Sequence, residues 1–203
     1  MTASPLYRIL VRLPDRPGAL GAAASRIGAL RGDVIGFEIL QRGTGGAMDE
    51  FVVALPAEVP LELLTRELVD DGVTVLDIVA VAVAPTDPVV AGLKAGARLA
   101  ECSDAETLLV ALIHEAACLL RADWVVVVGP DPCGPPLGEW GVVPPGTVVH
   151  SGIDAGIDSG RVARPIASWR ASIVAGREAP FGSGEEYRLA ALTDLAEVVL
   201  RRQ

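Results

Sequence analysis

The chain has 203 residues, enough for one large hydrophobic core or two modest ones, and we expect two domains. Its formal net charge of -9 provides no basic field to attract nucleic acid or an anionic membrane surface. Hydrophobic residues make up 51% of the chain, but no apolar run approaches the roughly 20 residues that span a bilayer. We therefore expect no nucleic-acid and no membrane partner, and the apolar surplus favours a subunit interface.

The cysteines and the first residues of the chain indicate its compartment. The three cysteines, Cys102, Cys118 and Cys133, form no Cys-x-x-Cys pair, and an odd set suits a reducing environment. The segment MTASPLYRIL lacks the basic stretch and the long apolar run of a secretory signal. We therefore expect a cytoplasmic protein.

The first half of the chain alternates between strand and helix patterns. Tyr7 to Leu13 has the period of a half-buried strand, and Leu20 to Leu30 has the period of an amphipathic helix. Extended patterns follow at 34–40, 50–55 and 73–83, with a helical pattern at 61–68. The order β-α-β-β-α-β predicts an α+β, ferredoxin-like domain with both helices on one face of an antiparallel sheet. We expect the other face to be open and to meet a second subunit.

The corner between the first strand and the first helix is the best candidate site. Pro14 and Pro17 lack backbone donors, and Gly18 permits a tight corner before the helix. The first turn of a helix leaves N–H groups unpaired and carries partial positive charge, so Gly18, Ala19 and Leu20 can hold a carboxylate. Asp33, near the start of the next strand, can receive an α-ammonium group. Together these groups suit the two charges of a free amino acid.

Plainer interpretations of this corner stay open. Asp15 can be the cap of the helix, in which case the corner binds only water. Arg16 can pair with a ligand acid or can simply be solvated.

Two short motifs in this half resemble the ACT domain, a regulatory amino-acid-binding module of metabolic enzymes. They are DRPGAL at 15–20 after a strand and GDVI at 32–35 opening the next one, and the resemblance covers about residues 5 to 84. It implies a ligand site at a dimer interface, built from Asp15, Arg16, Pro17, Gly18, Ala19 and Leu20 of one subunit and Gly32, Asp33, Val34 and Ile35 of its neighbour. Family members often carry Asn where Asp33 stands, so an acid there either selects an amine or marks a site that has drifted.

The second half begins after a break at Pro85 to Pro88. We assign residues 1–85 to the ACT-like domain, 86–103 to a linker with a short helix, and 104–203 to a second domain. The capping-box spacing of Ser103 with Glu106 and of Ser183 with Glu186 predicts the starts of two long helices. Strands are expected between them at 124–128, 147–150, 161–166 and 171–175.

The closing segment from Arg177 to Leu200 resembles the end of a GAF domain, with a strand exit, an aromatic residue and an acidic helix start. The stretch between Val128 and Arg161 is too short and too rich in Pro and Gly for the helices that usually roof a GAF ligand pocket. The resemblance therefore implies an α/β scaffold, shortened, whose first and last helices pair in a dimer.

No catalytic or metal site is predicted. His150, Asp154 and Asp158 share a Gly-rich loop, but their spacing fits neither a calcium nor a zinc site, and turn-forming Asp residues are the favoured interpretation. We expect His114 and Glu115 to be a flanking pair on an apolar helix and Cys118 to be core.

The sequence thus predicts a non-enzymatic regulatory protein without cofactor or metal, which binds an amino acid at the interface of a homodimer. The alternative is a purely structural dimerisation module whose corner is empty. An enzyme acting through His150, Asp154 and Asp158 comes third.

Overall fold

The computed structural model describes residues 4–43, 46–82, 87–131, 134–144 and 160–202. Within these ranges the protein is α+β, with two antiparallel four-stranded sheets and five α-helices. The chain divides into two compact units, Met1–Pro85 and Thr86–Gln203. Each unit has its own sheet and its own hydrophobic core.

The first unit contains four strands and two helices in the order that the sequence predicts. They are β1 (Leu6–Leu13), α1 (Ala19–Ala29), β2 (Asp33–Gly43), β3 (Gly46–Ala54), α2 (Leu61–Asp70) and β4 (Thr74–Val81). The sheet order is β2-β3-β1-β4, and every neighbouring pair is antiparallel. This connectivity is compatible with the ferredoxin-like plan.

The core of the first unit lies between one face of its sheet and the two helices. Alternate residues of the central strands, such as Ile9 and Val53, point to this face and are fully buried. Ile27 of α1 and Leu64 and Leu68 of α2 meet them there, also fully buried. The 3.6-residue period of each helix therefore supplies the apolar cover that the strand alternation requires.

The second face of this sheet differs from expectation at its centre. Leu10 and Val52 point away from α1 and α2, yet they are only 4% and 7% exposed. The long side chains of Arg8 and Glu50 lie beside them, with Arg8 Nε 3.5 Å from Glu50 Oε2. The expectation of an open second face is therefore wrong for the central strands, where Leu10 and Val52 are buried.

The second unit contains three helices and four strands. They are α3 (Pro88–Ala100), α4 (Ala105–Leu120), β5 (Trp124–Val128), β6 (Gly138–Gly141), β7 (Arg161–Ile166), β8 (Ala171–Gly176) and α5 (Ser183–Leu200), with a 3-10 turn at Ala167–Trp169. The sheet order is β6-β5-β8-β7, again antiparallel throughout. The strand expected at 147–150 lies outside the described residues.

The three helices of this unit share one core with the sheet. Val125 and Val127 of β5 face the helices, while Trp124 and Val126 join a smaller apolar cluster on the other face. A strand buried on both faces explains the continuous apolar run that the sequence has there. α3 contributes fully buried Leu99 to the helix-side core, so the segment expected to be a linker supplies part of the packing of this unit.

Both predicted capping boxes are displaced by one residue. Asp104, and not Ser103, caps α4, because its carboxylate accepts the N–H of Thr107 at 2.8 Å. At α5 the Glu185 carboxylate accepts the N–H of Gly182 at 2.9 Å, so the helix begins one residue earlier than the Ser183–Glu186 spacing predicts.

Two side chains of the second unit lie at its surface, and one of them, Cys118, was expected in the core. Trp140 is 41% exposed, because β6 is an edge strand. Cys118 is exposed, because it lies on the face of α4 that also carries His114 and Val110, 65% exposed. The sequence did not reveal this exposed face, because α4 has apolar residues on all sides.

A buried ion pair joins the strand β8 to the start of α5. Arg177 donates from Nη1 to Glu185 Oε1 at 2.7 Å and from Nη2 to Oε2 at 2.8 Å, and both side chains are almost fully buried. Arg177 also donates to the carbonyl oxygens of Leu120 and Pro180. The pair therefore links α4, β8 and α5 through fully satisfied polar groups.

Replacing Glu185 tests this linkage. We expect Glu185→Gln to lower the free energy of unfolding by about 3 kcal/mol, because it leaves the buried Arg177 charge without its counter-charge. The matched variant Glu186→Gln should change it by less than about 0.5 kcal/mol, since Glu186 lies in the same turn but is only half-buried. Urea unfolding followed by tryptophan fluorescence reports on this unit alone, because all three tryptophans lie in it. Equal stability of the two variants would contradict the argument.

Candidate functional site

A pocket of about 320 Å³ lies in the first unit where β1 ends and α1 begins. It is lined by Leu13, Pro14, Asp15, Arg16, Gly18, Ala19, Leu20, Phe37, Ile39, Ala47 and Asp49. This volume falls at the lower end of the range of small-molecule sites. The predicted corner is therefore part of a concave surface large enough for a ligand of amino-acid size.

The start of α1 owes its geometry to Gly18. This residue is the N-cap, with a φ of 85°, and a side chain added there would meet no atom within 4 Å. The left-handed backbone is one that glycine adopts without strain. Among the described residues no side chain caps α1, so the interpretation of Asp15 as its cap is wrong.

The amide groups at this helix start are not all available. Ala19 donates its N–H to the carbonyl oxygen of Arg16 at 3.3 Å, and Ala22 donates to Gly18 in the first helical hydrogen bond. The N–H groups of Gly18 and Leu20 donate to no acceptor in the described chain. The predicted donor set is thereby reduced to Gly18 and Leu20, at the positive end of the helix dipole.

Arg16 has a partner on the other helix of the unit. Its Nη2 donates to the carbonyl oxygen of Asp71 at 3.1 Å, just beyond the end of α2. Asp71 in turn accepts from Arg26 of α1 at 2.7 Å, and the hydrogen bond from that guanidinium holds the pKa of Asp71 below its usual value. Arg16 therefore ties the corner to α2 while it lines the pocket.

Asp49 is a site residue that the sequence interpretation missed. It lies on β3 opposite Ile39, is only 2% exposed, and lines the pocket with the start of α1. The sequence did contain an indication of this residue. The alternation of β3 puts Asp49 on the inward face of the sheet, with Phe51 and Val53. Because an acid at an inward strand position is uncommon, the sequence pattern alone could have drawn attention to Asp49.

The other half of the predicted site lies elsewhere in the unit. Gly32 follows the end of α1, where its N–H donates to the carbonyl oxygen of Ile27 at 3.0 Å, and Asp33 opens β2. Val34 packs on the core, and Ile35 is 44% exposed. None of the four residues from Gly32 to Ile35 lines the pocket, and neither does Pro17. Within one chain the structure brings Asp15, Arg16, Gly18, Ala19 and Leu20 together, without Asp33.

The pocket opens beside an apolar edge strand. β2 is at the end of the sheet order, and its side chains Ile35, Phe37 and Ile39 are 44%, 39% and 39% exposed. Leu20 of α1 is also 39% exposed, and it lines the pocket together with Phe37 and Ile39. A long edge strand with exposed apolar side chains is a template for pairing with another strand.

The second unit carries a cluster of titratable groups on α3 and α4. Although burial opposes ionisation, hydrogen bonds from Arg98 keep the pKa of Glu115 below its usual value. Burial and the nearby Glu115 charge raise the pKa of the Cys118 thiol, the opposite of what an activated nucleophile requires. In the described ranges no group of three or more His, Cys, Asp or Glu side chains is placed to hold a metal ion.

Some predicted features lie outside the described residues, namely Cys133, His150, Asp154 and Asp158. Of the helices in the described part of the chain, none has both the length and the apolar character needed to cross a bilayer.

The sequence was compared with models of known protein families and with curated proteins, and neither comparison gave a match. The geometry of the pocket is therefore the basis for any functional interpretation.

Two glycine substitutions test the backbone of the corner. Gly18→Ala should destabilise the first unit by about 1 kcal/mol, because alanine is strained at a φ of 85°. Gly21→Ala makes the same chemical change three residues later, inside α1 and with no atom within 4 Å, and should stabilise by about 0.5 kcal/mol. Thermal unfolding by circular dichroism and the hydrogen exchange of α1 amides measure both effects. Effects of the same sign would contradict the role assigned to Gly18.

Proposed function

We propose that the protein is a non-enzymatic regulator whose first unit is an ACT-like module that binds an amino acid. The observation that carries this proposal is the pocket of about 320 Å³ at the corner, which combines helix N–H donors with a buried carboxylate. The second unit, which we interpret as a shortened GAF-like scaffold, would transmit the bound state to a partner in the cytoplasm.

The two charges of an amino acid match opposite sides of the pocket. Its carboxylate would accept from the N–H groups of Gly18 and Leu20, where α1 also contributes partial positive charge. Its ammonium group would lie toward Asp49, the buried acid of the same pocket. The exposed faces of Phe37 and Ile39 would contact an apolar side chain of the ligand.

A second copy of the chain offers another acid for the ammonium group. β2 runs from Asp33 to Gly43, so two β2 strands paired antiparallel across a two-fold axis place the start of one beside the end of the other. Ile39, in the second half of β2, lines the pocket. Such pairing would bring the neighbour's Asp33 and Ile35 toward the pocket, and would cover the exposed apolar side chains of both edges.

This arrangement couples ligand binding to assembly. A ligand that contacts two chains binds the paired state more tightly than the single chain, and by linkage it shifts the population toward that state. The shift is limited by the difference in affinity between the two states.

The second candidate function is a purely structural assembly module. The exposed apolar row of Ile35, Phe37 and Ile39 favours it, because that row needs a partner strand whether or not a ligand is bound. This alternative predicts a dimer that is indifferent to amino acids.

Titration calorimetry with the twenty amino acids distinguishes the two functions. We expect millimolar or tighter binding of at least one, and loss of that binding in Gly18→Val, because a β-branched residue is strained at a φ of 85° and disturbs the corner. Unfolding curves of Gly18→Val verify that the variant is folded. The absence of heat with every amino acid would contradict ligand binding.

A pair of charge-neutralising variants then identifies the acid that the ligand uses. Asp49→Asn should weaken binding by about tenfold or more if the ammonium group lies inside one chain, since an amide cannot balance its charge. Asp33→Asn should do so if the acid comes from the neighbour. Sedimentation at each ligand concentration shows whether binding and dimerisation rise together, and unchanged affinity in both variants would contradict the assigned orientation.

A further inference from the structure

The exposed face of α4 carries a histidine and a cysteine that the proposed function does not use. His114 and Cys118 are four residues apart, so their side chains lie on neighbouring turns of the same helix face. Cys118 Sγ and His114 Nε2 are 3.9 Å apart, and both side chains are exposed. Two strong metal ligands therefore meet at the surface with their donor atoms facing each other.

A buried carboxylate lies beside the histidine. His114 Nδ1 lies 3.4 Å from Glu115 Oε1, and Glu115 is only 3% exposed. An ionised carboxylate can only accept, so the contact favours the tautomer with its hydrogen on Nδ1, in which the lone pair is on Nε2, toward Cys118. A carboxylate behind a ligating histidine is the arrangement that orients histidines in metal sites.

Arg98 keeps this carboxylate in place from the adjacent helix. Its Nε and Nη2 donate to the two carboxylate oxygens of Glu115 at 2.5 Å and 2.7 Å. The bidentate contact fixes the plane of the carboxylate, and hence the hydrogen bond to His114. The carboxylate of Glu115 also neutralises the positive charge of Arg98 next to His114 and Cys118.

The separation of the donor atoms fits a tetrahedral ion. With zinc–sulfur and zinc–nitrogen bonds of usual length, the two ligand atoms of a tetrahedral site are about 3.6 Å apart. The observed 3.9 Å between Sγ and Nε2 is close to this value, and small rotations of two exposed side chains cover the difference. The hard ions Ca²⁺ and Mg²⁺ prefer oxygen ligands and do not suit this pair.

We propose that His114 Nε2 and Cys118 Sγ form a two-ligand surface site for a borderline-soft divalent cation of the Zn²⁺ type. On binding, the S–H bond of Cys118 breaks, a sulfur–metal bond forms, and the proton leaves to solvent. Water fills the remaining positions, because the described residues bring no third His, Cys, Asp or Glu side chain within reach. The site shares no residue with the amino-acid pocket.

Titration of the full chain with Co²⁺ tests the proposal. Cobalt replaces zinc in such sites, and a cobalt–thiolate bond gives a charge-transfer absorption in the near ultraviolet. We expect this absorption to saturate at one ion per chain and to be displaced by Zn²⁺ but not by Mg²⁺. Cys118→Ser and His114→Ala should each abolish it, and tryptophan fluorescence should show both variants folded, because both side chains are exposed.

The other two cysteines provide the matched control. The double variant Cys102→Ser/Cys133→Ser keeps Cys118 as its only thiol and should retain the full absorption. Three results would overturn the proposal: no thiolate absorption in the native chain, its loss in the double variant, or its survival in His114→Ala. The last of these would show that the cysteine acts without the histidine.

Discussion

The left-handed backbone of Gly18 is the constraint on which the corner depends. At a φ of 85° it turns the chain from β1 into α1 and opens the helix without a capping side chain. A Ser, Asp or Asn cap would have satisfied the first amides of α1 from within the chain. Because the cap is a glycine, the N–H groups of Gly18 and Leu20 lie at a pocket with no acceptor of their own in the described chain.

Three buried carboxylates show how differently the same group can be used in this protein. Glu185 is matched by Arg177 in a bidentate pair and also accepts from Gly182, so its charge stabilises the fold. Glu115 accepts hydrogen bonds from Arg98 and lies in contact with His114 at the surface. Asp49 is buried on β3 and lines the pocket at the start of α1. Burial alone does not separate these roles, whereas the surroundings of each carboxylate do: an arginine inside the core, an arginine beside a surface histidine, and the wall of a pocket.

The sequence predicted most of the fold because periodicity depends on which face is buried. Alternation in β1 and the helical period of α1 were enough to place Ile9 and Ile27 in one core. Helix starts were harder, since a capping box depends on side-chain geometry that spacing does not contain, and Ser103 and Ser183 each missed the observed cap by one residue. The exposed face of α4 was also hidden, because Cys118 and Val110 are apolar residues on a helix that is apolar throughout.

The candidate site was predicted only in part, for a reason of topology. Local sequence identified the corner, because the run from Pro14 to Gly18 determines its own geometry. Asp49 reaches the same pocket through the pairing of β3 with β1 and β2, contacts between distant parts of the sequence that no local motif records.

The distance of Asp33 from the corner limits how the site can work. Asp33 opens β2 after the end of α1, while the pocket lies at the start of that helix, so one chain cannot use both. If the ammonium group of a ligand uses Asp49, the site is complete in a monomer, and the apolar edge of β2 serves assembly alone. If it uses Asp33, the site exists only where two β2 edges meet, and occupancy must then depend on protein concentration. The choice between two carboxylates therefore decides whether this protein senses a ligand as a single chain or only as an assembly.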